Sequence, residues 1–357
     1  VTRALVMSDV AARAGVSHQT VSRVVNGHPH VAPATRERVQ RAIEELGYRP
    51  NTAARALVTG STRTLGLVTS HVNQYGPAQT LIGLEQAARA AGYSLSVAIL
   101  DDDTELAMRE AVERFVSQSV DAVVVLSTYG QAVESLRRFD VPVPLVAVQV
   151  GRDQKHPTVW VDQEAGAALA TRHLLELGHR TVHHVCGPGD SLEARGRVIG
   201  WRRELTAVGA EVPEVLPGDW WPPSGHAAGQ VLAARIRGHR VDGPAVTAVF
   251  LANDQMALGL LNALHEEGIS VPGDLSVVGF DDVPEAAYYT PPLTTVRQDF
   301  AELGRRGVDL VLARLGGAGY EAEPVVPQLV VRSTTGPPSS PERRRRAPAA
   351  APAGTVC

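Results

Sequence analysis

Residues 15–27 read GVSHQTVSRVVNG, and their pattern decides how the amino-terminal part of the chain folds. Gly15 and Val16 make a turn after the short apolar-periodic segment 10–14, and the Ser17 hydroxyl is placed to cap a new helix. On that helix Val21, Val24 and Val25 gather on one side and His18, Gln19, Ser22 and Arg23 on the other. This is the 3.6-residue period of a helix packed along one flank. The outward flank carries donors and acceptors but no acid. Two short helices set at an angle by a tight turn form a helix-turn-helix, whose second helix can enter a major groove. An amphipathic hairpin with its polar flank in water shares the local pattern, so the rest of the chain must decide between them.

Working outward, residues 33–47 (PATRERVQRAIEELG) carry a proline suited to a first helical turn, apolar Val39, Ala42, Ile43 and Leu46 at helical spacing, and a glycine suited to the carboxyl cap. A three-helix head over 1–49 follows, with a core small enough to be marginal alone. Residues 50–63 read as a linker with one or two helical turns at 52–57, too short to hold together without something packed against it. Residues 1–63 hold nine arginines and four acids, a net of +5, so the other 294 residues carry −9 of the overall −4. A basic head on an acidic body is the footprint of a chain that brings only its head to a polyanion.

From residue 64 strand-like runs (65–69, 95–99, 122–126, 145–148, 182–186, 248–251, 275–280) alternate with helical runs such as 79–91, 105–117, 165–177, 195–208 and 255–267. Continuous apolar strands in alternation with helices argue for parallel sheets covered on both faces. About 270 residues of this pattern predict two lobes rather than one sheet. Ligands in such folds bind beyond the carboxyl ends of the strands. There stand Asn253 and Asp254, Asp281 and Asp282, and the loop 187–190 with Arg195 and Arg197 after it. Amide, carboxylate and guanidinium groups suit sugar hydroxyls, and Trp220 or Trp221 could supply an apolar face to a ring. Each also has a structural reading, as a helix cap for the Asx residues and as a packed loop for the tryptophans.

The two cysteines, Cys186 and Cys357, are too few and too badly placed for a disulfide framework or zinc cluster and read as free thiols. Neither an apolar run long enough to span a membrane nor a secretory signal is evident, so the expected location is cytoplasmic. The 187–190 loop lacks the glycine pattern and lysine of a P-loop, and His183 and His184 point to opposite faces of a strand with no paired nucleophile. The chain is therefore expected to be neither an enzyme nor dependent on a cofactor or metal.

Five blocks occur in order and at compatible spacing: SDVAARAGVSHQTVSRVVNG (8–27), TRERVQRAIEELGYRPN (35–51), GPGDSLEARGRVIGW (187–201), LANDQMALG (251–259) and LSVVGFDDVPEAAYYTPPLTTVRQDF (275–300). Together they resemble the LacI/GalR family of bacterial transcriptional repressors over residues 6–332. The resemblance implies an all-α helix-turn-helix head joined to an α/β, periplasmic-binding-protein-like core of two lobes with parallel sheets. It implies a homodimer on a pseudo-palindromic double-stranded operator, released when a sugar effector, with a galactoside expected, binds between the lobes. By position, His18, Gln19 and Arg23 would read bases, Ser17, Ser22 and Asn26 would contact phosphate, and Leu57 would wedge into the minor groove. Ser70, Gln149, Arg197, Trp220, Asn253, Asp281 and Gln298 would hold the effector.

Departures from the family pattern are specific. His18 replaces a tyrosine, Gln149 replaces an acid, and Val6 and Ala32 replace hydroxyl caps worth about 1 kcal/mol each. The resemblance places an N-lobe at about 64–161 and 292–320 and a C-lobe at about 162–291 and 321–332. Residues 333–357, rich in proline and small residues with arginines at 343–346, read as a disordered tail without a tetramerising leucine heptad. A cytoplasmic sugar-binding protein without a DNA target, and a member whose ligand promotes DNA binding, are the competing expectations.

Overall fold

A computed structural model describes residues 5–25, 28–49, 56, 60–102, 104–130, 141–149, 156–238, 245–320 and 323–339, and the chain divides into two compact units at Arg63 and Thr64. The first unit holds helices α1 (Met7–Ala14), α2 (His18–Val25) and α3 (Pro33–Leu46). Their apolar stripes meet in one core containing Val10, Val21, Val24, Val39, Ala42 and Tyr48. Gly15 at φ 62° makes the left-handed turn out of α1, and the Ser17 hydroxyl accepts from the Thr20 amide at 3.1 Å. The two missing hydroxyl caps are partly replaced. The Asp9 carboxylate accepts from the Val6 amide at 2.9 Å, and Pro33 starts α3 where a donor would be unpaired anyway. Of the expected helical turns at 52–57, only Ala56 is described, and its carbonyl accepts from the Gly60 amide at 2.8 Å.

The second unit contains two sheets. Strands β1 (Thr64–Thr69), β2 (Ser94–Ile99), β3 (Ala122–Leu126), β4 (Leu145–Val148) and β5 (Thr158–Val159) form one, in the order β2-β1-β3-β4-β5, all parallel. Strands β6 (His183–Val185), β7 (Ala248–Leu251), β8 (Ser276–Asp281), β9 (Thr294–Arg297) and β10 (Gln328–Val330) form the other, parallel except for β10. Strands β3, β4, β7 and β8 are buried along their whole length, the consequence of apolar runs covered on both faces. The covering helices are α4 (Tyr75–Ala90), α5 (Glu105–Ser117) and α10 (Phe300–Leu315) on the first lobe. Those on the second are α6 (Gln163–Glu176), α7 (Leu192–Ala207), α8 (Pro222–Ile236) and α9 (Asp254–Glu266).

Two expected boundaries are corrected. Strand β9 pairs with β8, so residues 294–297 belong to the second lobe and the crossing to the first lies after Arg297, not at 292. The second lobe also continues past 332. Thr334 is fully buried, its hydroxyl donating to the Val277 carbonyl at 2.7 Å and accepting from the Thr294 amide at 2.8 Å. Gly336 donates to the Ser276 hydroxyl at 3.0 Å, so at least 333–336 is part of the core rather than tail. The rest of the expected tail, including the arginines at 343–346, lies outside the described residues from 340 onward.

Among the described elements the lobes are joined by three crossings, one between β5 and α6, one between β9 and α10, and one between α10 and β10. Two of them pair, since Val325 accepts from the Asp162 amide at 3.0 Å and donates to the Trp160 carbonyl at 2.8 Å. In the second lobe α8 and α9 approach so closely that a Cβ on Gly259 would overlap the Pro222 carbonyl oxygen. Overpacking of this kind typically costs about 1–3 kcal/mol. Gly259→Ala is expected to lower the unfolding free energy by that amount, read as a lower urea midpoint at an unchanged m-value, and an unaltered midpoint would show that the helices slide apart without cost.

Candidate functional site

On α2 the side chains of His18, Gln19 and Arg23 are exposed together on the flank opposite buried Val21 and Val24. Ser22 is half-buried and Ser17 exposed, its hydroxyl engaged with the Thr20 amide and the Thr20 hydroxyl. The exposed face therefore presents an imidazole, an amide and a guanidinium, groups that bond base edges in a major groove. Asn26 and Leu57 lie outside the described residues.

In the second unit, the other candidates follow the carboxyl ends of parallel strands: Ser70 after β1, Gln149 after β4, Asn253 after β7, Gln298 after β9, with Asp281 ending β8. Arg197 reaches the same region from α7. Its guanidinium is 2% exposed, so its charge must be met by protein groups. Nε donates to the Gln163 side chain at 2.9 Å, Nη1 donates to the Ala252 carbonyl, and Nη2 lies 3.9 Å from both Glu193 and Asp281. The cation also sits 4.0 Å from the Phe280 ring centre. Gln298 donates to Asp281 at 2.7 Å and accepts from Gln163 at 2.9 Å, closing a network within the second lobe beside its crossings to the first.

Asn253 does two jobs at once. Its carbonyl oxygen accepts from the Met256 amide at 2.9 Å and caps α9, while its amide donates to the Trp220 carbonyl at 3.0 Å. Trp220 is held at φ 77°, with its ring against Gly187 and 5.3 Å from the Arg197 guanidinium. Arg197, Trp220, Asn253, Asp281 and Gln298 thus line one small cavity with Gln74, Tyr75 and Glu193, of about 20 Å³ free volume. Gln149 instead lines a neighbouring cavity of about 430 Å³, and buried Ser70 lines neither. Sequence reasoning missed Gln163 and Glu193. The four-residue spacing of Glu193 and Arg197 on one helix face was the available signal.

Electrostatics follow from this burial. Removal from water raises the Asp281 carboxyl from an ordinary 3.8 to about 7, opposed by Arg197 and the Gln298 bond and reinforced by Glu193. Glu193 is raised by burial against the pull of Arg197, and Asp254 is raised well above 3.8 by burial and by the Asp281 charge. Asp254 is nonetheless structural, accepting from the Thr295 hydroxyl at 2.6 Å and the Val283 amide at 2.9 Å. Asp282 is paired with Arg297 and Arg332, both at 2.6 Å. His184 stacks on Phe250 with ring centres 4.7 Å apart, and burial pushes it down to about 4. It belongs to the core.

A carboxyl raised in the folded state binds more protons there than in the unfolded chain between about pH 4 and 7, so its contribution to stability falls as pH rises through that window. The melting temperature of Asp281→Asn, measured against wild type without ligand, is expected to gain progressively from pH 5 to pH 8. A constant difference would remove the raised carboxyl from the site.

Comparison with known proteins gives these geometries a family. Residues 6–51 match the model for bacterial regulatory proteins of the lacI family, and residues 171–335 match the periplasmic binding protein-like domain. The lactose operon repressor of Escherichia coli K12 is 34% identical over 93% of this chain and 91% of its own length. A transcriptional repressor named PurR from Haemophilus influenzae is 32% identical over 92% of this chain and 98% of its own. Among solved structures, the lac repressor dimer bound to operator and an anti-inducer superposes with a TM-score of 0.82 at 33% identity, covering 94% of this chain and all of that one. A transcriptional regulator CelR in complex with cellobiose gives 0.66 at 34% identity, covering 93% of this chain and all of that one. With an exposed polar face on α2 and a two-lobed α/β core, the chain belongs to the LacI family of DNA-binding transcriptional repressors.

Proposed function

We propose that this protein is a sugar-responsive repressor acting in the cytoplasm on carbohydrate-utilisation genes. The observation that carries the reading is the convergence of Arg197, Asn253, Asp281 and Gln298 with Trp220 at strand ends between two lobes. Carboxylate and amide groups bond hydroxyls, and a tryptophan face suits the apolar side of a pyranose ring. A galactoside is the first candidate because the relatives include a lactose operon repressor.

Two copies bind a pseudo-palindromic operator. Apolar Val97 and Ile99 on edge strand β2 and Ile82 on α4 are exposed, an area a second copy would cover. His18, Gln19 and Arg23 read bases, Ser17, Ser22 and Asn26 position the head on phosphates, and Leu57 enters the minor groove. Effector between the lobes disfavours the operator-bound arrangement, and by linkage the operator weakens effector binding by the same factor.

In a gel-shift assay on palindromic duplexes, Arg23→Ala is expected to lose about tenfold or more in preference for the best operator over base-substituted ones, in line with a bidentate base contact. Equal preference in both proteins would take Arg23 out of base readout. The same assay, with a sugar identified by thermal shift, is expected to show release of wild-type protein and retention of Asp281→Ala. Tighter retention of wild type with sugar would reverse the sign of the response, and release of Asp281→Ala would sink the effector site.

A further inference from the structure

A further cavity, of about 410 Å³, is lined by none of the candidate effector residues and sits at two of the crossings between the lobes. Arg297 and Asp299 reach it from the crossing between β9 and α10, and Glu323, Pro324 and Val326 from the crossing between α10 and β10. Glu302 and Arg306, in the first two turns of α10, complete the polar wall. Pro324 alone lines both this cavity and the one at Gln149. The volume falls in the range of ~300–1,000 Å³ usual for small-molecule sites.

Its charges are matched unevenly. Glu302 is fully engaged, accepting from Arg305 on both oxygens and from the Arg306 Nε at 2.7 Å, and these arginines hold its carboxyl down at about 2. Arg306 also donates through Nη1 to the Glu323 carbonyl at 2.9 Å and the Pro324 carbonyl at 3.3 Å, seating that crossing on α10. Arg297, by contrast, uses only Nε, on Asp282 at 2.6 Å, and Asp282 is shared with Arg332. One Asp299 oxygen accepts from the Glu302 amide at 2.9 Å. Among the described residues, neither Nη of Arg297, the second Asp299 oxygen nor the Glu323 carboxylate has a hydrogen-bond partner, and no ion pair joins Arg297 to either acid. One cavity thus holds an open guanidinium edge and two open carboxylates that the fold does not pair with each other.

A simple anion there meets Arg297 but faces the carboxylates, and a simple cation meets the reverse. A zwitterion answers both. A carboxylate fits the forked edge of a guanidinium, and an ammonium brings three donors to carboxylate oxygens. Pro324 and Val326, the latter 65% exposed, add an apolar surface for a side chain to cover. We propose that this cavity is a second ligand site, for an amino acid with an apolar side chain, and that its occupant braces the crossings. The α-carboxylate accepts from Arg297, the α-ammonium donates to Asp299 and Glu323, and the side chain lies on Pro324 and Val326. Because these groups belong to different crossings, a molecule bonded to both favours one lobe angle over others. The inference goes beyond the sugar reading and uses no residue of that site.

The test is calorimetric titration of the full chain with leucine, phenylalanine, N-acetylleucine and leucinamide. At least one of the two amino acids is expected to bind with a Kd of about 1 mM or tighter, and each blocked form about tenfold more weakly or worse. Arg297→Gln and Glu323→Gln are each expected to weaken the amino acid about fivefold or more. The exposed Glu323 side chain supports no other described group, so Glu323→Gln keeps the test open if Arg297→Gln does not fold. In a gel shift at saturating amino acid, operator affinity of wild type is expected to change about threefold or more. Blocked forms that bind as tightly as leucine, a folded variant that binds as wild type does, or no binding by either amino acid overturn the site. An operator affinity unmoved by bound amino acid overturns the bracing of the crossings. A sugar effector in the other site stands or falls separately from all of these.

Discussion

A guanidinium that is 2% exposed is the constraint around which the second unit is arranged. The cost of removing Arg197 from water is offset only by groups brought from several elements: the Gln163 amide at the start of α6, the Ala252 carbonyl after β7, Asp281 at the end of β8, and Glu193 one turn earlier on α7. Gln298 and Gln163 extend that network toward the crossings between lobes. The charge therefore fixes helices and strands to one another as well as supplying a polar wall. Two raised carboxyls beside a single cation show that the compensation is incomplete, the state of a site with polar groups to offer.

Capping and binding chemistry coincide at the strand ends. Asp162, Ser191, Asn253 and Asp299 each accept from an amide in the first turn of α6, α7, α9 and α10. Four helices thus begin around the region between the lobes, with their first turns fixed by side chains. Asn253 shows the economy of this arrangement, since its oxygen holds α9 while its amide fixes the loop that presents Trp220. The two sequence readings of this residue, helix cap and ligand contact, are compatible. A cap that also orients an aromatic ring holds the ring rigidly, which a loop alone would not do.

What was legible in the sequence follows the same physics. Strands β3, β4, β7 and β8 were visible because burial on both faces demands unbroken apolar runs. Strand β9 was not, because its buried Thr294 and Thr295 are satisfied by Thr334 and Asp254, partners distant in sequence. The same distance hid the end of the core, where small and polar residues around Thr334 look like tail until the sheet that receives them is present. Arg197, Trp220, Asn253, Asp281 and Gln298 were named through motif spacing, and the structure brings them to one cavity. Gln149 and Ser70 were named on the same ground and fall outside it. Gln163 lies 135 residues from Gln298, a pairing that neither local pattern nor propensity encodes.

The small cavity is already filled by the protein's own polar groups, and this bears on how a ligand could act. Asp281 is bonded to Gln298, Gln298 to Gln163, and Gln163 to Arg197, so an entering hydroxyl must replace bonds that exist. Replacement by bonds of equal quality shifts no equilibrium, however tightly the ligand binds. A ligand moves the lobes only where it bridges groups that a change of lobe angle would separate, such as Gln74 and Tyr75 on the first lobe and Arg197, Trp220 and Asn253 on the second. Affinity and response are then separable properties of one site. Groups within the second lobe, such as Asn253 and Trp220, set the first, and the groups that the first lobe brings to the cavity wall, Gln74 and Tyr75, set the second.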